Sequence, residues 1–322
     1  MLTPDLALIG AGNWGRNHLR NLKAMGRLAR VIDPDPAVCA AGKKEHPELA
    51  WSTNLKDLWK DDAIHGVVIA APAVTHADLA RRALEAGRHV LVEKPLALTA
   101  DSGKELTQLA EKKGLSLMVG HVLRYHTAVE KLKAMVDAGE LGKIRYIYSN
   151  RLNIGRLRTE ENVLWSFAPH DISLILMLLD DEEPAAVCAH GGAYLDPAIF
   201  DTTLTSLEFS SGVRAHVFVS WLHPFKEQKL VVVGSEQMAV FDDTAKDKLC
   251  LYPHRIKWEH GRIPVAQKAD FKVVPVEEGQ PLRRELEHFC TCVDGKASPL
   301  TDGHEAVRVL NVLEQAETSL KK

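Results

Sequence analysis

At 322 residues the chain is long for one hydrophobic core, and a prior of about one domain per 150 residues argues for two. Hydrophobic residues make up 46% and charged residues 26%, which excludes a disordered or fibrous chain. With 40 Lys and Arg against 43 Asp and Glu, the net charge of -3 sets up no broad field to draw a nucleic acid or an anionic membrane, so any anion site is local.

The first residues, Met1-Leu2-Thr3-Pro4-Asp5, lack the basic region and long apolar run of a signal peptide, so the chain is expected in the cytoplasm. Five cysteines, Cys39, Cys188, Cys250, Cys290 and Cys292, are an odd number without metal-ligand spacing and read as reduced thiols. No His, Cys or carboxylate cluster has convincing ligand spacing, and metal-free chemistry is expected.

Up to about residue 120, short apolar runs alternate with helical patterns, the signature of βαβ units in a doubly wound parallel sheet. The runs are Leu6 to Ile9, Leu28 to Ile32, Gly66 to Ala70 and His89 to Val92, with Leu115 to Val119 a fifth, and Thr75 to Ala86 reads as an intervening helix. Directly after the first run comes Gly10-Ala11-Gly12-Asn13-Trp14-Gly15, then the helical stretch Arg16 to Met25. In that order Gly10 permits the tight turn, Gly12 lets the backbone approach a pyrophosphate, Gly15 allows close helix packing, and the helix start offers amide donors. The second run ends in Ile32-Asp33, where an acidic side chain can bind ribose hydroxyls and repel a 2′-phosphate, which favours NAD over NADP.

Two later runs end in Ala70-Ala71-Pro72 and Glu93-Lys94-Pro95, at the strand ends where ligands collect in such sheets. A strand end with a solvated lysine is the plain alternative for the second, and Glu93 could serve only to position its loop. Arg124, in Gly120-His121-Val122-Leu123-Arg124-Tyr125, is open between an active-site role and a domain-interface ion pair.

From about residue 143 period-two alternation takes over, pointing to a second, α+β domain with a large, open-faced, mostly antiparallel sheet; the domains are drawn as 1–120 and 121–322. Strand candidates are Ile144 to Asn150, Thr203 to Phe209, Lys229 to Val233, Met238 to Phe241 and Leu249 to Tyr252. Val213, Ala215, Val217, Val219 and Trp221 would share one face after a turn at Ser210-Ser211-Gly212. Ile172 to Leu179 is too short for a bilayer crossing and reads as a buried helix beginning at Pro169-His170-Asp171, whose positive end would keep His170 neutral. Asp302 to Leu320 reads as a last helix that could pack back on the first domain.

The glycine fingerprint, Ala71-Pro72 with Thr75-His76, Glu93-Lys94-Pro95 and His170 together resemble the Gfo/Idh/MocA oxidoreductase family over nearly the whole chain. The resemblance implies a Rossmann domain joined to an open-faced sheet domain that pairs into a homodimer or homotetramer. It makes Asn13, Trp14, Ala71, Pro72, His76, Glu93 and Lys94 cofactor-binding beside the glycines and Asp33. Lys94 and His170 become the catalytic pair: the lysine suits the charge developing on a reacting alcohol oxygen, and imidazole, ordinarily titrating near neutrality, suits its proton. Many members carry an aspartate four residues before this histidine, where this chain has Ser166, which shifts weight onto Lys94 and His170.

The runs Arg151 to Arg156, Glu161 to Trp165 and Ala168 to Ile172 are most similar to the nucleotide-sugar 3-dehydrogenases of that family. This implies oxidation of the 3-hydroxyl of UDP-N-acetylglucosamine, feeding a PLP-dependent aminotransferase in 3-amino sugar, lipid A type lipopolysaccharide biosynthesis. Arg151, Arg156 and Arg158 beside Asn153 match a pyrophosphate through paired hydrogen bonds, or else form a basic strand edge; Trp165 could stack on the substrate or belong to the core. Open alternatives are a UDP-N-acetylglucosaminuronate or cyclitol dehydrogenase and a non-catalytic NAD-binding sensor.

Overall fold

The structure, a computed structural model, describes residues 5–155 and 157–321. Its contacts divide the chain into one unit of residues 1–122 with 280–310 and another of 123–279 with 311–322. Among the described residues no helix is long and apolar enough to cross a membrane.

The first unit runs β1 (Leu6–Ile9), α1 (Gly15–Ala24), β2 (Leu28–Ile32), α2 (Pro36–Glu45), β3 (Ala50–Ser52), α3 (Lys56–Trp59) and β4 (Gly66–Ile69). It continues through α4 (His76–Glu85), β5 (His89–Val92), α5 (Ala100–Lys113) and β6 (Leu117–Val119). The six strands are parallel in the order β3-β2-β1-β4-β5-β6. All residues of β1 and β4 are buried, which is why these central strands read as unbroken apolar runs. The strand order reverses between β1 and β4, the switch point at which sheets of this kind place their ligands.

The second unit contains α6 (Thr127–Asp137), β7 (Ile144–Ile154), α7 (Val163–Leu178), β8 (Ala186–Gly192), β9 (Thr202–Glu208) and β10 (Arg214–Ser220). After these come β11 (Leu222–Gly234), β12 (Met238–Asp242), β13 (Leu249–Tyr252), β14 (Arg255–Glu259), β15 (Ile263–Gln267) and β16 (Lys272–Val273). Eight strands form a mixed sheet ordered β16-β13-β12-β11-β7-β10-β9-β8, antiparallel except for the β7–β10 pair, while β14 and β15 make a separate hairpin. Ala215, Val217 and Val219 of β10 are buried on the face that packs against α7, as the alternation implies, and Gly212 turns the chain with φ +89°. The opposite face holds Tyr148 stacked on His216, ring centroids 5.4 Å apart.

Helix α7 starts earlier than the sequence reading has it. Asn162 caps it by accepting from the Trp165 amide at 3.3 Å, and Pro169 lies inside it. His170 is therefore about two turns in, beyond the first turn where the helix dipole acts, so no helix start lies beside its imidazole.

The chain closes with α8 (Pro281–Val293) and α9 (Gly303–Leu320), whose residues divide between the units at 310. Helix α8, in the stretch the sequence assigns to the second domain, packs against α1, and a Cβ at Gly66 would meet the side chains of Leu6, Val293 and Phe289. Arg27 bridges Asp5 and Asp294, at 2.7 and 2.9 Å, and Val119 donates to the Thr301 carbonyl at 2.8 Å.

Candidate active site

Two of the three glycines are demanded by the protein's own packing. Gly10 has φ +92°, and a Cβ there would lie 2.5 Å from the Ala70 carbonyl oxygen; at Gly15 it would lie 2.0 Å from that of Gly10. At Gly12 a Cβ meets nothing described within 4 Å, so the need for glycine there comes from outside the protein. Helix α1 has no side-chain cap, and behind its opening residue the Arg16 and Asn17 amides donate to the Gly12 and Trp14 carbonyls at 3.0 and 2.9 Å. Asp33 is buried; its carboxylate accepts from the Ala11 amide at 2.8 Å and the Asp35 amide at 3.0 Å, tying the glycine loop to the end of β2. A tight turn, an unobstructed Gly12, uncapped helix amides and a carboxylate beside them fit a dinucleotide without a 2′-phosphate. Asn13 and Trp14 are exposed on the same loop.

Across the switch point, His76 is buried, with Nδ1 2.7 Å from the Pro95 carbonyl oxygen and Nε2 2.8 Å from that of Ala71. Its ring clips the loop bearing Ala71 and Pro72 to the one bearing Lys94. The reading of His76 as a cofactor contact is corrected on this point: its ring lies between two backbone carbonyls, to one of which a neutral imidazole donates, and its part is positioning.

Glu93 receives the Trp14 indole N–H and lies 2.8 Å from Nε2 of His18, a residue of α1 that the sequence reading passed over. Burial pushes the Glu93 carboxyl up, but the hydrogen bond and charge of His18, the Trp14 bond and the charge of Lys94 outweigh it and hold the group below the ordinary glutamate range. Half-buried Lys94 follows directly at the end of β5.

In the second unit the residues expected to bind substrate separate. Arg151 is buried and paired with Asp171, Nε to Oδ2 at 2.6 Å and Nη2 to Oδ1 at 3.2 Å; Asp171 also accepts from Ser149 Oγ at 2.5 Å. With the Gln228 amide oriented to satisfy both ends, it accepts from Arg151 Nη1 and donates to Asp243, each at 3.1 Å. Burial pushes the Asp243 carboxyl up, while His126, Lys248 and Arg151 more than offset this and keep it below the usual aspartate range. Arg151 is thus committed to a carboxylate inside the unit, which corrects its assignment to a substrate pyrophosphate.

Trp165 is corrected likewise: it is buried in α7 and its indole N–H donates to Glu317 of α9, so its faces are core rather than a stacking platform. Arg124 is buried, and Arg158 is exposed with Nε 3.9 Å from Glu161. Asn153, the last residue but one of β7, has a buried Oδ1 with no hydrogen-bond partner among the described residues. Arg156 lies outside the described residues. Ser166 precedes His170 by one turn on α7 and is buried.

The model of the oxidoreductase family with the NAD-binding Rossmann fold (GFO_IDH_MocA) matches residues 5–121, and that of the GFO/IDH/MocA C-terminal domain matches residues 129–240. The first unit thus carries an NAD-binding Rossmann domain. Over 327 residues the chain is 28% identical to UDP-N-acetylglucosamine 3-dehydrogenase of Acidithiobacillus ferrooxidans, covering 100% of this chain and 98% of that protein. A crystal structure of that enzyme superposes with a TM-score of 0.87 at 25% identity, covering 100% of this chain and 98% of that one. The chain is also 27% identical over 314 residues to scyllo-inositol 2-dehydrogenase (NAD(+)) of Bacillus subtilis, covering 92% of this chain and 88% of that protein.

Two substitutions check this geometry. Gly12→Ala is expected to leave the thermal unfolding midpoint unchanged yet weaken NAD binding by calorimetry at least about tenfold. Asp171→Asn, by leaving the buried Arg151 uncompensated, is expected to destabilise the protein by about 3–5 kcal/mol in denaturant titration.

Proposed function

Because the chain belongs to the Gfo/Idh/MocA oxidoreductase family, we propose that it is a cytoplasmic, NAD-dependent dehydrogenase that oxidises the 3-hydroxyl of UDP-N-acetylglucosamine to a 3-keto sugar nucleotide. What carries the dehydrogenase reading is the bond between Glu93 and Trp14, because it holds the residue before Lys94 against the glycine loop. The end-to-end likeness to the Acidithiobacillus enzyme supports the substrate.

NAD would be held by the glycine loop, the amides of α1 and Asp33, and supplies the acceptor for the carbinol hydride. Lys94 hydrogen-bonds the reacting oxygen and stabilises the charge that develops as its proton leaves. His170 takes that proton and returns it in the reverse direction. With Ser166 one turn before it, His170 does this without the carboxylate that many relatives carry at that position. With Arg151 and Trp165 committed inside the unit, sugar-nucleotide recognition falls on Asn153 and Arg158, with Arg124 and Arg156 as further candidates.

The 3-keto product is an electrophile suited to a PLP-dependent aminotransferase, and we propose that the reaction feeds one in 3-amino sugar biosynthesis of the lipid A type. We further propose that a second copy of the chain covers the open sheet face bearing Tyr148, His216 and Phe218. The likeness to scyllo-inositol 2-dehydrogenase supports a second reading, a cyclitol substrate.

With NAD and UDP-N-acetylglucosamine the protein is expected to generate NADH absorbance. Lys94→Ala and His170→Ala should each lower kcat by about 10²–10⁴ while still binding NAD. Turnover of scyllo-inositol alone would select the cyclitol, and flat absorbance with sugar nucleotides and cyclitols alike would leave only an NAD sensor. Light scattering after gel filtration should give a dimer or tetramer that Phe218→Asp dissociates; a monomeric unaltered protein would end the pairing proposal.

A further inference from the structure

Lys94 stands between Glu93 and Pro95, and a buried histidine lies against each of those neighbours. Nδ1 of His76 is 2.7 Å from the Pro95 carbonyl oxygen, and Nε2 of His18 is 2.8 Å from Oε1 of Glu93. The same Oε1 takes the indole N–H of Trp14, which lies one turn before His18 at the start of α1. Beside the other carboxylate oxygen, a Cβ at Gly120 would stand 2.9 Å from Oε2, so the end of β6 closes against the group. Backbone bonds complete the frame: Glu93 donates to the Ile69 carbonyl at 2.9 Å, and Gly120 to that of Val92 at 2.8 Å.

We propose that His18 is a positioning residue for Lys94: by holding Glu93 it fixes the place at the end of β5 from which the lysine side chain leaves. The two bonds to Oε1 are not equivalent. Trp14 is exposed on the glycine loop, where water competes for the carboxylate, whereas His18 is buried, where a hydrogen bond to a charge is stronger. Glu93 is ionised and only accepts, so the imidazole proton that faces it sits on Nε2. The other nitrogen, Nδ1, is buried with no hydrogen-bond partner among the described residues. An apolar ring would fill the same space without that desolvation cost, so what the histidine contributes is its donor to Glu93. Charge developing on an alcohol oxygen is stabilised by a donor already in place, and a misplacement of about 1 Å costs about a hundredfold in rate.

The inference rests on the dehydrogenase reading, which turnover by the unaltered protein tests separately. Phe keeps a ring and supplies no donor, while Gln carries an amide donor near the place of Nε2. H18F is expected to lower kcat about tenfold or more, with NAD affinity by calorimetry within about threefold of the unaltered protein. H18Q is expected to restore most of the rate that H18F loses. E93A removes the group through which His18 acts, so the double variant H18F/E93A should lose no more than about twofold beyond E93A alone.

The Lys94 side chain also gives a reading that needs neither cofactor nor substrate. Its 13Cε resonance, assigned by its loss in Lys94→Arg, is expected to move in H18F and in E93A and to return towards its place in H18Q. Absence of turnover by the unaltered protein would end the dehydrogenase reading and leave this resonance to decide. If H18F does not fold by circular dichroism, H18N takes its place, since the shorter amide stops short of Glu93. His18 does not position the lysine if the variant without the donor keeps both kcat and the Lys94 resonance, if H18Q is as impaired as H18F, or if the losses of H18F and E93A multiply.

Discussion

The cofactor site depends on one backbone contact, the approach of the β1–α1 turn to the carbonyl of Ala70. A methyl group at Gly10 would stand 2.5 Å from that oxygen and one at Gly15 only 2.0 Å from the carbonyl of Gly10, so no side chain fits at either place. Because the turn lies flush on the end of β4, the Ala11 amide comes within reach of Asp33 and the Trp14 indole within reach of Glu93. Three strand ends are thereby bound to one loop: β2 through a carboxylate, β4 through van der Waals contact and β5 through an indole bond. His76 closes the ring by joining the loops after β4 and β5.

What the sequence reveals of this is what is local. Glycine spacing, the acidic end of β2 and the apolar runs are each encoded within a few residues, and they suffice for the parallel sheet and for NAD. Alternation betrays β10 because one of its faces is buried and the other is half-buried. The same rule is blind to β3, three residues at a sheet edge, and to β14, which is exposed along its whole length. Helix α8 has Leu286, Phe289 and Cys290 at helical spacing, but Glu285 interrupts the apolar face and hides the pattern. His18 and Glu93 are 75 residues apart, and nothing in the neighbourhood of either announces the other.

Arg151 and Trp165 mark the limit of reasoning from residue type. A guanidinium fork fits a pyrophosphate and a carboxylate equally well, and an indole suits a sugar face and a protein core alike. The partner decides between them. Asp171 stands in the sequence directly after the catalytic candidate His170, where it looks like the start of a helix; once Asn162 moves that start one and a half turns earlier, Asp171 falls inside a helix buried nearly all round and pairs with Arg151 of β7.

A buried ion pair of this kind is weak evidence for stability, because desolvation offsets most of the attraction between the charges. Its geometric consequence is stronger. Asp171 takes bonds from Ser149 and Arg151, two residues apart and on the same face of β7, which pins α7 against rotation about its own axis. Neighbouring positions on a helix differ by about 100°, so fixing the azimuth of Asp171 also fixes that of His170. Ser166, one turn earlier, lies on the His170 side of the helix. A polar pair that does little for the free energy of folding thus fixes the side of α7 from which the His170 side chain leaves, on which the proposed proton transfer depends.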